Sequence, residues 1–271
     1  MLVLFRQSPR SVITAHLASR VHNAKPVLDD SRKQFFFEET LDADTIDYDG
    51  IYTEFKEKFG GMDFLEDVKL YEIIEDEIFW ATRFNTPDRY FLIFNILSQI
   101  ESSGTRAYLS QSSPEAKEMK DRIRRVSGEF RRARGVISFE EDEKAKTLIG
   151  RGSFEHEITD LVLRYQAMRR PGYKIAIVGK EDVHILVHDD IVIDSRNRFP
   201  EKQTRKDARR YWTIILNPKN VESKRDPRYL VDRLPRNYWK WVSEGAQEAE
   251  RPPKVTLDDF DHGNGPQSNE S

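Results

Sequence analysis

The chain reads as an α+β fold, with a mostly helical first half, a small antiparallel sheet and closing C-terminal helices. Three observations predict it. Apolar residues recur at three- and four-residue spacing through most of the first 170 residues. Between Tyr173 and Ser195 the period drops to two, in the short runs "YKIAIVG", "VHILVH" and "DIVIDS", joined by "KED" and "HDD" turns. The helical period then returns in "TRKDARRYWTIILNP", with Ala208, Tyr211, Trp212 and Ile215 on one side.

Taken in order, "SVITAHLASRVH" places Val12, Ala15, Leu17 and Val21 loosely along one face. "DYDGIYTEFKEKFGG" is a helix closed by two glycines. Between Leu70 and Phe84 the pattern fits helix and strand equally. In "TPDRYFLIFNILSQIESSG", Thr86 can cap, Pro87 suits the first helical position, and Tyr90, Ile93, Phe94, Leu97 and Ile100 form the apolar side. "SPEAKEMKDRIRRVSGEFRRARG" carries the strongest helical signal. Ser113 caps it, Pro114 starts it, Met119, Ile123, Val126, Phe130 and Ala133 form a stripe, and Gly135 ends it. Arg122, Arg125 and Arg132 fall toward the opposite side. "VISFEE" follows as a strand. "GSFEHEITDLVLRYQAMRRPG" is a further helix, capped by Ser153, with acidic residues at its start, Arg169 and Arg170 at its end, and a Pro-Gly stop. The predicted organisation is an acidic helical part over 1–112, an α+β core with a basic aromatic C-terminal segment over 113–244, and a disordered tail over 245–271.

Composition narrows the function classes. The 271 residues are 38% hydrophobic and 34% charged, the balance of a globular chain. No run of about 18 apolar residues offers a membrane span. The start, "MLVLFRQSPR", puts its charge after a very short apolar stretch, the reverse of a secretory signal. The expected compartment is therefore the cytoplasm. The chain has no cysteine, which excludes disulfides, a thiol nucleophile and thiolate-bound metal. No cofactor is implied. The formal net charge of −3 conceals an asymmetry: Asp29 to Glu77 holds 17 acidic and 5 basic residues, whereas Ser195 to Trp241 holds 14 basic and 5 acidic. Such a field can steer a polyanion to one face.

No strong catalytic signature is present. His184 and His188 share a strand face beside Asp189 and Asp190, a weak metal pattern on an exposed turn, and no metal site is expected. His156, in the predicted first helical turn, is the best candidate for a catalytic role, because a helix start favours the neutral imidazole. The alternative for His156 is a polar residue bonded to the loop before it. "RDPRYLVDRLPRNYWKW" combines Arg225, Arg228, Arg236 and Lys240 with Tyr238, Trp239 and Trp241. Arginine forks onto phosphate and aromatic rings stack on bases, so this stretch and Arg122, Arg125 and Arg132 form one candidate nucleic-acid surface. The competing reading is a covering layer, with stems and rings packed inward.

The segment "KRDPRYLVDRLPRNYWKWVSE" resembles the C-terminal signature of a family described as probable DNA metabolism proteins. "GVISFEE", "FEHEITDLVLRY" and "YKIAIVGKEDVHILVHDD" are similar in order and spacing, so the resemblance covers about Ser113 to Glu244. Members of that family occur fused to uracil-DNA glycosylase-like domains and beside a radical SAM repair protein. The resemblance implies a DNA-repair setting without an established reaction. In the tail, "KVTLDDFDH" resembles the sliding-clamp (PCNA) interaction box, with Lys254, Leu257 and Phe260 at its first, fourth and seventh positions. Asp261 stands where the box has a second aromatic. The expected function is a DNA-binding accessory or processing protein of repair, with a tail suited to recruitment by a sliding clamp. The alternatives are a glycosylase- or lyase-type enzyme acting on damaged DNA, and a scaffold that binds a radical SAM repair enzyme through its acidic half.

Overall fold

A computed structural model describes residues 1–29, 39–187 and 190–199. The α+β class holds, and the first half is more than helical. β1 (Leu2–Phe5) is the middle strand of a three-stranded sheet, with β2 (Lys25–Leu28) and β3 (Thr40–Asp42) both parallel to it. The run "LVLF" has no alternation because a central parallel strand is buried on both faces.

Between β1 and β2 runs α1 (Pro9–Val21). Ser8 caps it by accepting from the Ser11 backbone N–H at 3.1 Å, and Pro9 opens its first turn. Sequence spacing suggested one apolar face, but α1 is buried almost all round, including Ser11, Thr14 and His16. His16 stays satisfied there, 3.2 Å from the Glu101 carboxylate, which Arg20 also grips. At the carboxyl end of β1, Arg6 gathers Asp29, Asp42 and Asp44, tying the three strands together.

α2 (Tyr48–Phe59) stops at Gly60, whose φ of 89° is a left-handed conformation that side chains disfavour. α3 (Asp63–Glu66) leads into α4 (Val68–Ala81), so the ambiguous stretch from Leu70 is helical up to the turn at Thr82. α5 (Arg89–Ser103) begins after Asp88, not at Thr86 and Pro87, which belong to the preceding turn. After the short α6 (Thr105–Leu109) comes α7 (Pro114–Val136), capped by Ser113 as expected. It runs through Gly135, which does not end it.

The apolar stripe of α7 is real. Ala116 and Met119 join a core with α1, α2, α4 and α5, while Val126, Phe130 and Ala133 join a second core against a five-stranded sheet. α4 divides in the same way, with Ile78 in the first core and Phe79 and Trp80 in the second.

The second sheet comprises β4 (Phe139–Asp142), β5 (Thr147–Arg151), β6 (Lys174–Val178), β7 (Asp182–Val187) and β8 (Asp190–Ser195), in that order. The meander β6–β7–β8 is antiparallel as its period predicted. The sheet as a whole is mixed, because β5 lies parallel to β6. A parallel neighbour needs a crossover, and α8 (Thr159–Arg169) supplies it. Gly150 in β5 is required by packing, since a Cβ there would sit 2.7 Å from the Phe139 ring. α8 covers one face of the sheet, over Leu148, Ile175, Ile177 and Ile191. No helix among the described residues is long and apolar enough to cross a membrane.

Candidate nucleic-acid interface

The sequence of α7 decides which arginines reach solvent. Burial of Met119, Val126, Phe130 and Ala133 fixes the helix rotation, and Arg122 falls on the inward flank. Its guanidinium is held by Asp88 at 2.6 Å and Glu118 at 2.5 Å, and lies 5.1 Å from the centre of the Phe84 ring. Arg122 is 9% exposed, so its expected place on a solvent face is corrected: it joins α7 to the start of α5. The hydrogen bond from Arg122 holds the Asp88 carboxyl down at about 2.

Arg124, Arg125, Arg131 and Arg132 are exposed. They form two pairs one heptad apart, which at 1.5 Å per residue places them about 10 Å apart along the axis. Gly128 lies between them, and the Arg132 guanidinium folds back to 3.5 Å from where its Cβ would be. Arg124 meets Asp121 at 2.7 Å and Arg125 meets Glu155 at 2.6 Å, each pair more than half exposed. Arg131 donates to the Ser127 carbonyl at 3.3 Å.

At the C-terminal end of α7 the surface continues onto α8. Arg134 lies 5.0 Å from the centres of both the Phe130 and Tyr165 rings, and Arg169 lies 5.7 Å from that of Tyr165. Tyr165 is thus an aromatic centre among cations from two helices. Arg124, Arg131, Arg134, Tyr165 and Arg169 were not among the candidates read from the sequence. Their signal was the cluster "RRAR" and an i, i+4 Tyr-Arg pair; Arg169 was assigned to the helix dipole instead.

His156 lies just ahead of α8, which begins at Thr159, so it is not in the first helical turn. The capping residue is not Ser153. The backbone N–H groups of Glu155 and His156 both donate to the Glu129 carboxylate of α7, at 2.7 and 3.0 Å. The imidazole is 5% exposed and packs against Phe84 at 4.6 Å between centres. Its Nδ1 faces the Asn85 backbone N–H at 3.5 Å. Burial lowers its pKa, opposed by the Glu129 and Glu155 charges. This is the environment of a packed, loop-bonded histidine.

Beside it runs a polar seam between the two cores. Glu157 accepts from Gln7 at 2.9 Å and Arg89 at 2.7 Å, and buried Arg83 meets buried Asp160 at 2.8 Å. The seam links β1, the α4–α5 turn and the start of α8.

Arg225, Arg228, Arg236, Tyr238, Trp239, Lys240, Lys254, Leu257 and Phe260 lie outside the described residues, as do the predicted closing helices, the tail, His188 and Asp189. Among the described residues no group of three or more His, Asp or Glu side chains is arranged to hold a metal ion.

Residues 87–244 match the family described as Domain of unknown function, DUF4130. The chain belongs to the DUF4130 family. The match begins at the turn before α5 and takes in α7, α8 and the whole five-stranded sheet. No curated protein matches the chain.

Proposed function

We propose that this DUF4130 protein binds DNA as an accessory or processing factor of repair, using the α7–α8 face as part of its phosphate-binding surface. One observation carries the reading: four exposed arginines stand in two pairs on one stretch of α7, and among the described residues their carboxylate partners are exposed ones. Exposed ion pairs contribute about 0–1 kcal/mol each, so phosphates can replace Asp121 and Glu155 at little cost. A separation of about 10 Å spans roughly three steps of one DNA strand at 3.4 Å each. The repair setting rests on the resemblance of the C-terminal segment to probable DNA metabolism proteins. Arg225, Arg228, Arg236, Tyr238, Trp239 and Lys240 would extend the surface, and Lys254, Leu257 and Phe260 would recruit a sliding clamp. The glycosylase or lyase alternative draws no support from His156, whose ring lies under Phe84.

The test is DNA binding by fluorescence anisotropy across a salt series, comparing the parent chain with Arg124→Ala/Arg125→Ala/Arg131→Ala/Arg132→Ala. Losing four phosphate contacts should flatten the slope of log K against log salt by about 3–4 on duplex DNA. An unchanged slope, or no binding by the parent chain at low salt, overturns the reading.

A further inference from the structure

The five-stranded sheet has two apolar faces, and α8 accounts for one. On the other lie Ile149, Ala176, Val178, Val183, Ile185 and Val192, each at most 4% exposed. The registers bring these residues together: Ile149 is opposite Ala176, Ala176 opposite Ile185, and Ile185 opposite Val192. A sheet face open to water leaves such side chains partly wet, and among the described residues no helix belongs to this cluster. Phe199, just after the 3₁₀ turn Arg196–Arg198, does belong to it and is 2% exposed. The chain therefore reaches this face as it leaves β8.

We propose that the second face is covered by the chain's own segment Thr204–Pro218, which lays Ala208, Tyr211, Trp212 and Ile215 on the sheet and turns Lys206, Arg209 and Arg210 outward. Three considerations select this occupant. It starts five residues after Phe199, and five residues span at most about 17 Å, so the segment is held near the face. Ala208, Tyr211, Trp212 and Ile215 fall at positions i, i+3, i+4 and i+7, one helical stripe with two large rings, suited to a flat aliphatic surface, and Ile214 and Leu216 lie beside it. Lys206, Arg209 and Arg210 fall away from that stripe in the same period, while Arg205, three residues before Ala208, lies on its flank. The segment also lies inside the family match, which extends to residue 244. The consequence is a second basic ridge, on the side of the sheet away from α8. The covering itself does not depend on the nucleic-acid reading.

The absence of native cysteine makes the test direct. Single-cysteine full-length chains carry Val183→Cys on the second face or Ile175→Cys beneath α8, and labelling by a maleimide is timed under native conditions. Both should label slowly. Adding Tyr211→Asp/Trp212→Asp should speed labelling at position 183 at least tenfold and leave position 175 protected. Fast labelling at 183 in the parent, or protection there that survives the two aspartates, overturns the proposal. Protection that fades on dilution assigns the face to a second copy and also overturns it. In case the aspartate variants do not fold, a paired Ile185→Cys/Trp212→Cys chain is treated with a bis-maleimide of about 8 Å reach. An intramolecular link is expected, and its absence refutes the placement.

Discussion

Replacing Arg122 by alanine separates a structural arginine from a phosphate-binding one. Hydrogen bonds to charged groups contribute about 1.5–3 kcal/mol when sheltered. Asp88 and Glu118 are 55% and 53% exposed, so each ion pair here is discounted toward 0–1 kcal/mol. Stacking of the guanidinium on Phe84 adds about 0.5–1 kcal/mol. The expected loss is about 2 kcal/mol, or about 4–8 °C in melting temperature for a chain of this size. Part of that loss is pH-dependent. Asp88 has its folded pKa depressed to about 2 from 3.8, so its contribution is present above 3.8 and disappears as pH falls through 2. The gap between parent and Arg122→Ala should therefore narrow between pH 4 and 2. Thermal denaturation followed by circular dichroism at pH 7, 4 and 2.5 measures it. An unchanged melting temperature at pH 7, together with a clear loss of DNA binding, would refute the structural assignment and return Arg122 to the binding surface.

Asp160→Asn should cost about 3–5 kcal/mol in denaturant unfolding, because it leaves the buried Arg83 guanidinium without its counter-charge; a loss under 1 kcal/mol contradicts that. Folded His156 has a lowered pKa, so the parent chain should lose stability as pH falls below 6.5, where the unfolded histidine takes a proton that the folded one resists. The stability advantage of the parent over His156→Gln should accordingly shrink from pH 7.5 to 4.5, and a constant difference excludes burial as the cause. Gly150→Ala should destabilise by about 1–3 kcal/mol through overlap with the Phe139 ring, and Gly150→Ala/Phe139→Leu should recover part of it, as measured by melting temperature.

The helices were legible wherever one face alone is buried. The stripe of α7 and its Ser113 cap appear in the sequence because an amphipathic helix writes its environment into a 3.6-residue period. α1 was harder to orient because it is buried all round, so Ser11, Thr14 and His16 sit inward and blur the period. The parallel sheet was missed for a related reason. "LVLF" and "KPVL" are too short to show a period, and parallel strands have no wet face to alternate with. β5 escaped notice because its Gly150 looks like a loop residue until the Phe139 ring is in place. For the site, the arginine-rich character of α7 was evident, but the division among its arginines was not. Arg122 and exposed Arg125 both lie about 5 Å from the Phe84 ring, and the inward one is the one that Asp88, 34 residues earlier, also grips.

That division also explains how a nearly neutral chain keeps a basic surface. Near its start, α7 reaches the acidic first half, and there its cations are consumed: Lys120 pairs with Glu77, and Arg122 with Asp88. Part of the remaining acidity is met close to where it arises, with one guanidinium, that of Arg6, among Asp29, Asp42 and Asp44, and Arg20 on Glu101. Further along α7, Arg125 lies over the Phe84 ring and pairs with the exposed Glu155, and among the described residues Arg131, Arg132 and Arg134 meet no carboxylate within ion-pair distance. A helix that runs through two cores thus carries its charges from an acidic body toward a region where fewer carboxylates meet them among the described residues. On the proposed reading, charge left over at that end, held by exposed ion pairs at most, is what a polyanion would engage. The arginines packed at the other end hold the helix in the orientation that presents it.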